Sequence, residues 1–142
     1  VGLCPTPGVA YLASISNAAG GVMISASHNP PEDNGIKIFD SNGNKLAQPL
    51  QEAIEAGIRG KTTPTSTQHK GYYIWRPELI QSYVESLKVP LLADRDFSGM
   101  RIVLDLAWGA AVGLAPSLFR DLGAEVICLH DRPDGCLLYT SD

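Results

Sequence analysis

A chain of 142 residues, 44% of them hydrophobic, can bury one modest core, or one domain and the beginning of a second. Its formal net charge of −4, with acids and bases interspersed, leaves no basic stripe for a nucleic-acid backbone or an anionic membrane, so small-molecule partners are expected. Three cysteines, Cys4, Cys128 and Cys136, lack Cys-x-x-Cys spacing, which argues against a disulfide framework or a zinc site and suits a reducing cytoplasm.

Pro5-Thr6-Pro7 opens a helix in which Val9, Leu12, Ala13 and Ile15 recur near helical spacing until Gly20-Gly21. The next run, Gly21 to Ala26, is short and rich in strand formers and is expected to be a buried strand. Pro30-Pro31 removes ladder donors and Asn34-Gly35 favours a turn, so residues 27–35 form a loop at the end of that strand. Ile36 to Asp40 alternates as a strand, and Ser41-Asn42-Gly43-Asn44 turns it toward Lys45-Leu46 as a hairpin. From Pro49, the residues Leu50, Ala53, Ile54 and Ile58 mark one face of a helix ending near Gly57 and Gly60.

Lys61 to Lys70 is polar apart from Pro64 and is expected on the surface. Arg76 to Leu92 predicts a connecting helix, with proline in its first turn and Leu79, Ile80, Tyr83, Val84 and Leu87 on one side. A turn-prone stretch, residues 94–99, precedes a strand from Arg101 to Ala107, a helix from Val112 to Leu122 and a strand from Glu125 to Leu129. That is a β-α-β unit with parallel strands. Asp105, glycines and a proline interrupt the apolar stretch from Ile102 to Phe119, which argues against a membrane span. No signal peptide is recognisable, and a chain opening on Val1 is expected to begin inside a larger protein.

The loop after the first strand gathers the residues that can do chemistry. Ser27 and His28 are neighbours, and neighbouring side chains on an extended backbone diverge, so they do not make a hydrolase pair. There is also no Gly-x-Ser-x-Gly elbow. Alone, the dipeptide would cap a turn, and Lys37 alone would be a solvated strand lysine. Together, a hydroxyl (Ser27), an imidazole (His28), an amide (Asn29) and an ammonium (Lys37) at the carboxyl end of a strand are the groups that phosphoryl transfer requires. That reaction spreads negative charge over phosphoryl oxygens, and positioned donors and cations lower its barrier.

The run Ser25-Ala26-Ser27-His28-Asn29-Pro30, followed by Asn34-Gly35-Ile36-Lys37, resembles the active-site serine signature of the α-D-phosphohexomutase superfamily. Gly2 to Leu12 and Gly20 to Phe39 are most similar to the branch acting on glucosamine phosphates, and the resemblance continues through Leu122 to Gly135. It implies an α/β fold, an incomplete three-layer α/β sandwich of the phosphohexomutase type. Residues 1–95 would be the later part of the first domain and residues 96–135 the start of the second.

By the same resemblance, Ser27 would carry a phosphoryl group, donate it to glucosamine 6-phosphate and recover one from the 1,6-bisphosphate, leaving glucosamine 1-phosphate for UDP-N-acetylglucosamine synthesis. His28, Asn29 and Lys37 would contact phosphoryl oxygens, with His28 and Lys37 counted in the catalytic set and Lys37 a candidate acid/base or charge stabiliser. One Mg²⁺ would be held through the phosphoryl oxygen on Ser27 and by aspartates of a downstream loop that lies outside these residues. Mannose or glucose phosphates are the alternative substrates, and an inactive sugar-phosphate-binding piece is the alternative of another class. Alone, the chain is expected not to turn over substrate. Trp108 stands where many relatives have asparagine, and an effect on packing is expected. Residues 136–142 resemble translated adaptor read-through and are expected to be non-native.

Overall fold

The computed structural model describes residues 1–27, 29–30, 32–61, 71–92 and 96–133. Helix α1 spans Thr6–Ile15, with Pro5 extended at its cap and Pro7 in its first turn, where a missing N–H costs nothing. It buries Gly8, Val9, Leu12 and Ala13. Strands β1 (Gly20–Ile24) and β2 (Ile36–Asp40) pair antiparallel, with Met23 opposite Lys37 and Ile24 opposite Ile36.

Helix α1 packs on one face of this pair, and a Cβ on Gly21 would lie 3.2 Å from both Ala13 and Val9. The other face carries Val22, Ile24 and Ile36, which are 61%, 71% and 64% exposed. The expectation of a buried β1 is therefore not met: Gly21 and Met23 on the α1 side are half-buried and the other face is exposed. Residues i and i+2 of a strand share a face, and α1 covers just one of the two.

The hairpin expected after β2 is present as a bridge between Phe39 and Lys45. The Asp40 carboxylate accepts the N–H groups of Asn42 and Asn44, each at 2.8 Å, and these bonds hold its carboxyl below the usual carboxylate range. Gly43 has φ +77°, and a side chain there would meet the Ala10 carbonyl at 2.3 Å, so the turn rests on α1 through bare backbone. Helix α2 follows at Gln48–Ile58. Most of the polar segment expected after it, residues 62–70, lies outside the described residues.

A 3₁₀ turn at Pro77–Leu79 leads into α3, Ile80–Leu92. This helix joins the two halves of the structure. Its Tyr83 ring lies 5.8 Å from that of Tyr11 and against Gly8 of α1, where an added Cβ would come within 3.0 Å of the ring. Burial raises the Tyr83 pKa, as it does that of the buried Cys4 nearby. On its other side, Val84 forms a core cluster with Leu114, Leu118 and Leu122, flanked by Ile80, Leu87 and Phe97. Lys88 reaches from α3 to Asp121 at 2.7 Å and to Glu85 at 3.0 Å.

Strands β3 (Arg101–Asp105) and β4 (Glu125–Leu129) are parallel and in register, with α4 (Ala115–Asp121) between them in sequence. The β-α-β unit is as expected, but its helix starts three residues later than Val112. Pro116 sets this start: its fixed φ suits a first turn, and it lacks the N–H that an interior position would use. Strand β3 stops at Asp105 because Ala107 and Trp108 turn into the left-handed region. The α/β class follows from these elements, in one antiparallel and one parallel pair of strands. No described helix is long and apolar enough to cross a membrane.

Leu118→Ala should lower stability by about 2–5 kcal/mol, the usual range for a leucine deleted from a packed cluster. Val89→Ala, at an exposed position of α3, should change it by less than about 0.5 kcal/mol. Urea denaturation followed by circular dichroism distinguishes the two.

Candidate functional site

The loop between β1 and β2 is closed at its neck by the strand ladder. The Ser25 N–H donates to the Gly35 carbonyl at 2.8 Å, one step beyond the last residue pair of the two strands. Gly35 is needed there because a Cβ would stand 2.6 Å from the Ser25 carbonyl oxygen. The described residues between Ala26 and Asn34 thus bulge from a fixed base.

Within the loop, Ser27 is exposed and adopts φ 62°, a left-handed conformation uncommon for a residue with a side chain. Such a conformation costs on the order of 1–3 kcal/mol and persists where neighbours hold it. One holding contact is explicit: the Ser27 N–H donates to Ser25 Oγ at 3.1 Å. The Asn29 N–H donates to the Ala26 carbonyl at 3.3 Å, its side-chain amide donates to Asp33 at 2.9 Å, and the Asp33 N–H donates to the Pro30 carbonyl at 3.0 Å. Asn29 is therefore built into the loop's own bonding.

Lys37 lies on β2, exposed, opposite Met23. By strand alternation it shares a face with Met23 and, one residue past the end of β1, with Ser25. The ladder thus sets the lysine's strand beside the strand that delivers Ser27. His28 lies outside the described residues. Lys37 also lines a 580 Å³ cleft between β2 and α2, whose walls include Ile36, Ile38, Leu46 and Ile54. Ser27 is not among the residues lining that cleft.

Sequence inspection picked out Ser27, His28, Asn29 and Lys37 and missed the role of Ser25 and Gly35. Their signal was available: a glycine directly before a β-branched strand, preceded by turn residues, marks a close backbone approach. The partner that needs the space shows only in the register. Among the described residues no group of three or more His, Cys, Asp or Glu could hold a metal ion.

Residues 1–65 match the family model described as phosphoglucomutase/phosphomannomutase, alpha/beta/alpha domain I. Phosphoglucosamine mutase of Nostoc punctiforme is 62% identical over 136 residues, 95% of this chain and 28% of the relative. Over residues 1–65 the chain is thus similar to the first domain of the phosphoglucomutase/phosphomannomutase family. The Synechococcus elongatus phosphoglucosamine mutase is 58% identical over 135 residues, 29% of its length. The chain therefore spans under a third of the curated relatives it matches. A protein assigned as a phosphomannomutase, from Thermus thermophilus, superposes with a TM-score of 0.75 at 32% identity, covering 94% of this chain and 30% of that one. A Burkholderia thailandensis structure of the phosphoglucomutase/phosphomannomutase family shares the fold, with a TM-score of 0.63 at 23% identity, covering 95% of this chain and 30% of that one.

Gly35→Ala should break the neck and release the Ser25 amide, read as an increase in its hydrogen-exchange rate. Gly71→Ala, where an added Cβ meets nothing within 4 Å, should leave that amide unchanged.

Proposed function

We propose that this chain is the serine-bearing part of a phosphohexomutase that interconverts glucosamine 6-phosphate and glucosamine 1-phosphate, with Ser27 as the phosphoryl carrier. The observation that carries this is Ser27 itself: an exposed hydroxyl in a left-handed turn, on a loop whose base is tied by the ladder. The 62% identity to a phosphoglucosamine mutase over nearly the whole chain supports the choice of sugar.

In this scheme the phosphoserine P–O bond breaks as a bond forms to O1 of glucosamine 6-phosphate, and the O1 proton leaves to a base. Ser27 Oγ then takes the 6-phosphoryl group of the resulting 1,6-bisphosphate, and the O6 alkoxide is protonated. The serine ends as it began, and the product is glucosamine 1-phosphate, which supplies UDP-N-acetylglucosamine synthesis.

Lys37 supplies a mobile cation beside the loop, suited to the charge that gathers on the transferred group. His28 and Asn29 are assigned to phosphoryl contact, Asn29 acting also through the loop shape that its bond to Asp33 maintains. A phosphoserine with about −1.5 to −2 charges close to a sugar phosphate calls for a counterion. Magnesium takes six oxygen ligands, and the described residues of this chain do not make that set. Mg²⁺ therefore enters the proposal only as an ion to which Ser27 lends a phosphoryl oxygen, its other ligands coming from outside these residues.

The same proposal places residues 1–95 in the first domain and residues 96–135 in the second, in a cytoplasmic enzyme. Residues 134–142, which include the tail expected to be non-native, lie outside the described residues. A change of sugar to mannose or glucose phosphate keeps every role assigned here, and the phosphomannomutase assignment of the Thermus neighbour is what favours that second possibility.

The test is a longer protein in which this chain is joined to the remaining length of its relatives. Peptide mapping should find phosphate on Ser27, and Ser27→Ala should abolish turnover. Turnover at the wild-type rate, or phosphate on another residue, would overturn the assignment. In the same protein Lys37→Ala should lower kcat by about 10²–10⁴-fold with a smaller change in KM, as expected for a group acting in the transition state. Competition between glucosamine, mannose and glucose phosphates decides the sugar.

A further inference from the structure

The main chain of the loop between β1 and β2 is short of donors, because Pro30 and Pro31 bring no N–H to it. Side chains make up part of the difference. The Asn29 N–H donates to the Ala26 carbonyl at 3.3 Å and so closes the chain around Ser27, which lies in the left-handed region at φ 62°. The Asp33 N–H donates to the Pro30 carbonyl at 3.0 Å. Between these two turns runs a side-chain bond, from Asn29 Nδ2 to Asp33 Oδ2 at 2.9 Å. Two residues past Asp33, the Gly35 carbonyl takes the Ser25 amide at the neck, so Asn29 is connected through Asp33 to the fixed base of the loop.

Asn29 and Asp33 are both exposed, and a hydrogen bond between exposed side chains adds only modestly to stability. Its larger effect is on direction. An amide can turn either its oxygen or its NH₂ group toward a neighbour, and the two ends are close in size. A carboxylate only accepts, so Asp33 admits only the NH₂ end. With one side-chain N–H committed to Asp33 and the main-chain N–H committed to Ala26, the second side-chain N–H of Asn29 is held in a set direction, two residues along the chain from Ser27. A phosphoryl oxygen calls for a donor, and an amide free to flip would offer its oxygen part of the time.

We propose that Asp33 is a positioning residue for phosphoryl transfer at Ser27, acting by fixing which end of the Asn29 amide the loop offers to a phosphoryl group. The role rests on the reading of Ser27 as the phosphoryl carrier and of Asn29 as a phosphoryl contact. Asp33 itself touches no reacting atom; it locks the rotamer of a residue that does, which is how supporting hydrogen bonds hold a site in its productive geometry.

The first test uses the 142-residue chain. In Asp33→Ala the side-chain amide signals of Asn29 should shift in an amide NMR spectrum, while exchange of the Ser25 amide stays as it was, since the neck does not use Asp33. The second uses the longer protein in which Ser27 is tested as carrier. There Asp33→Ala should lower kcat by about 10–10²-fold, the scale on which a displaced group near the chemistry acts, with a smaller change in KM for glucosamine 6-phosphate. Asp33→Asn keeps an oxygen that can accept the same bond and should recover kcat to within about two- to threefold, the remaining loss reflecting an amide that can also bond the wrong way round. Unmoved Asn29 signals, wild-type kcat in Asp33→Ala, or equal losses in the alanine and asparagine variants would each overturn the role of Asp33. Phosphate on Ser27 with wild-type turnover in Asp33→Ala removes that role alone, whereas a parent protein that turns over with no phosphate on Ser27 removes the carrier reading and this role with it.

Discussion

The geometry of the candidate site depends on the single hydrogen bond between the Ser25 amide and the Gly35 carbonyl. It carries the antiparallel ladder one step past its last apolar pair and turns the residues between into a loop with a fixed base. A loop of that length tethered only by flexible ends would let Ser27 wander over several ångströms. With the neck closed, the left-handed Ser27 is set by bonds that begin at Ser25. Strain of this kind is stable only where the surroundings over-determine it, and the missing side chain at Gly35 lets the two backbones approach closely enough to do so.

Behind the loop, stability comes from α3. This helix holds α1 through Tyr83 and the α4 cluster through Val84, and so links the antiparallel pair to the parallel one. The buried apolar residues lie on α1, α3, α4 and the segments leading into and out of these helices, while the strands keep one face open. Helix α2 contributes no buried residue, and its Ile54 and Ile58 line the cleft that Lys37 also lines. Ser27, Asn29 and Lys37 thus stand exposed at the edge of the packed region, and the buried cluster around Val84 lies toward the second half of the chain.

The two strand-end structures meet the same demand by different means. After β1, the left-handed residue is held by a serine hydroxyl and a ladder bond. After β3, left-handed residues are held by a carboxylate, an imidazole and an indole. Both lie at the carboxyl ends of strands, where side chains leave the ladder and become available for other contacts. Trp108, expected to act on packing, does so through the His130 ring.

Local patterns in the amino-acid order were sufficient for element type. Helical spacing in α1 and α3, alternation in β2 and the strand-helix-strand sequence after residue 100 each depend on neighbours within a few positions, and all are present. The Ser25–Lys37 segment likewise carries the family resemblance because it lies in one continuous run. Only the tertiary structure could decide which face of β1 is covered, that Gly35 must be bare because of Ser25, and that Asp105 and His130 meet. Each of these depends on a pairing between residues distant in the chain, and strand alternation leaves the choice of partner and of buried face open until another element packs against it. The late start of α4 at Ala115 is the intermediate case: Pro116, visible in the sequence, sits in its first turn, while the apolar spacing upstream had suggested a start at Val112.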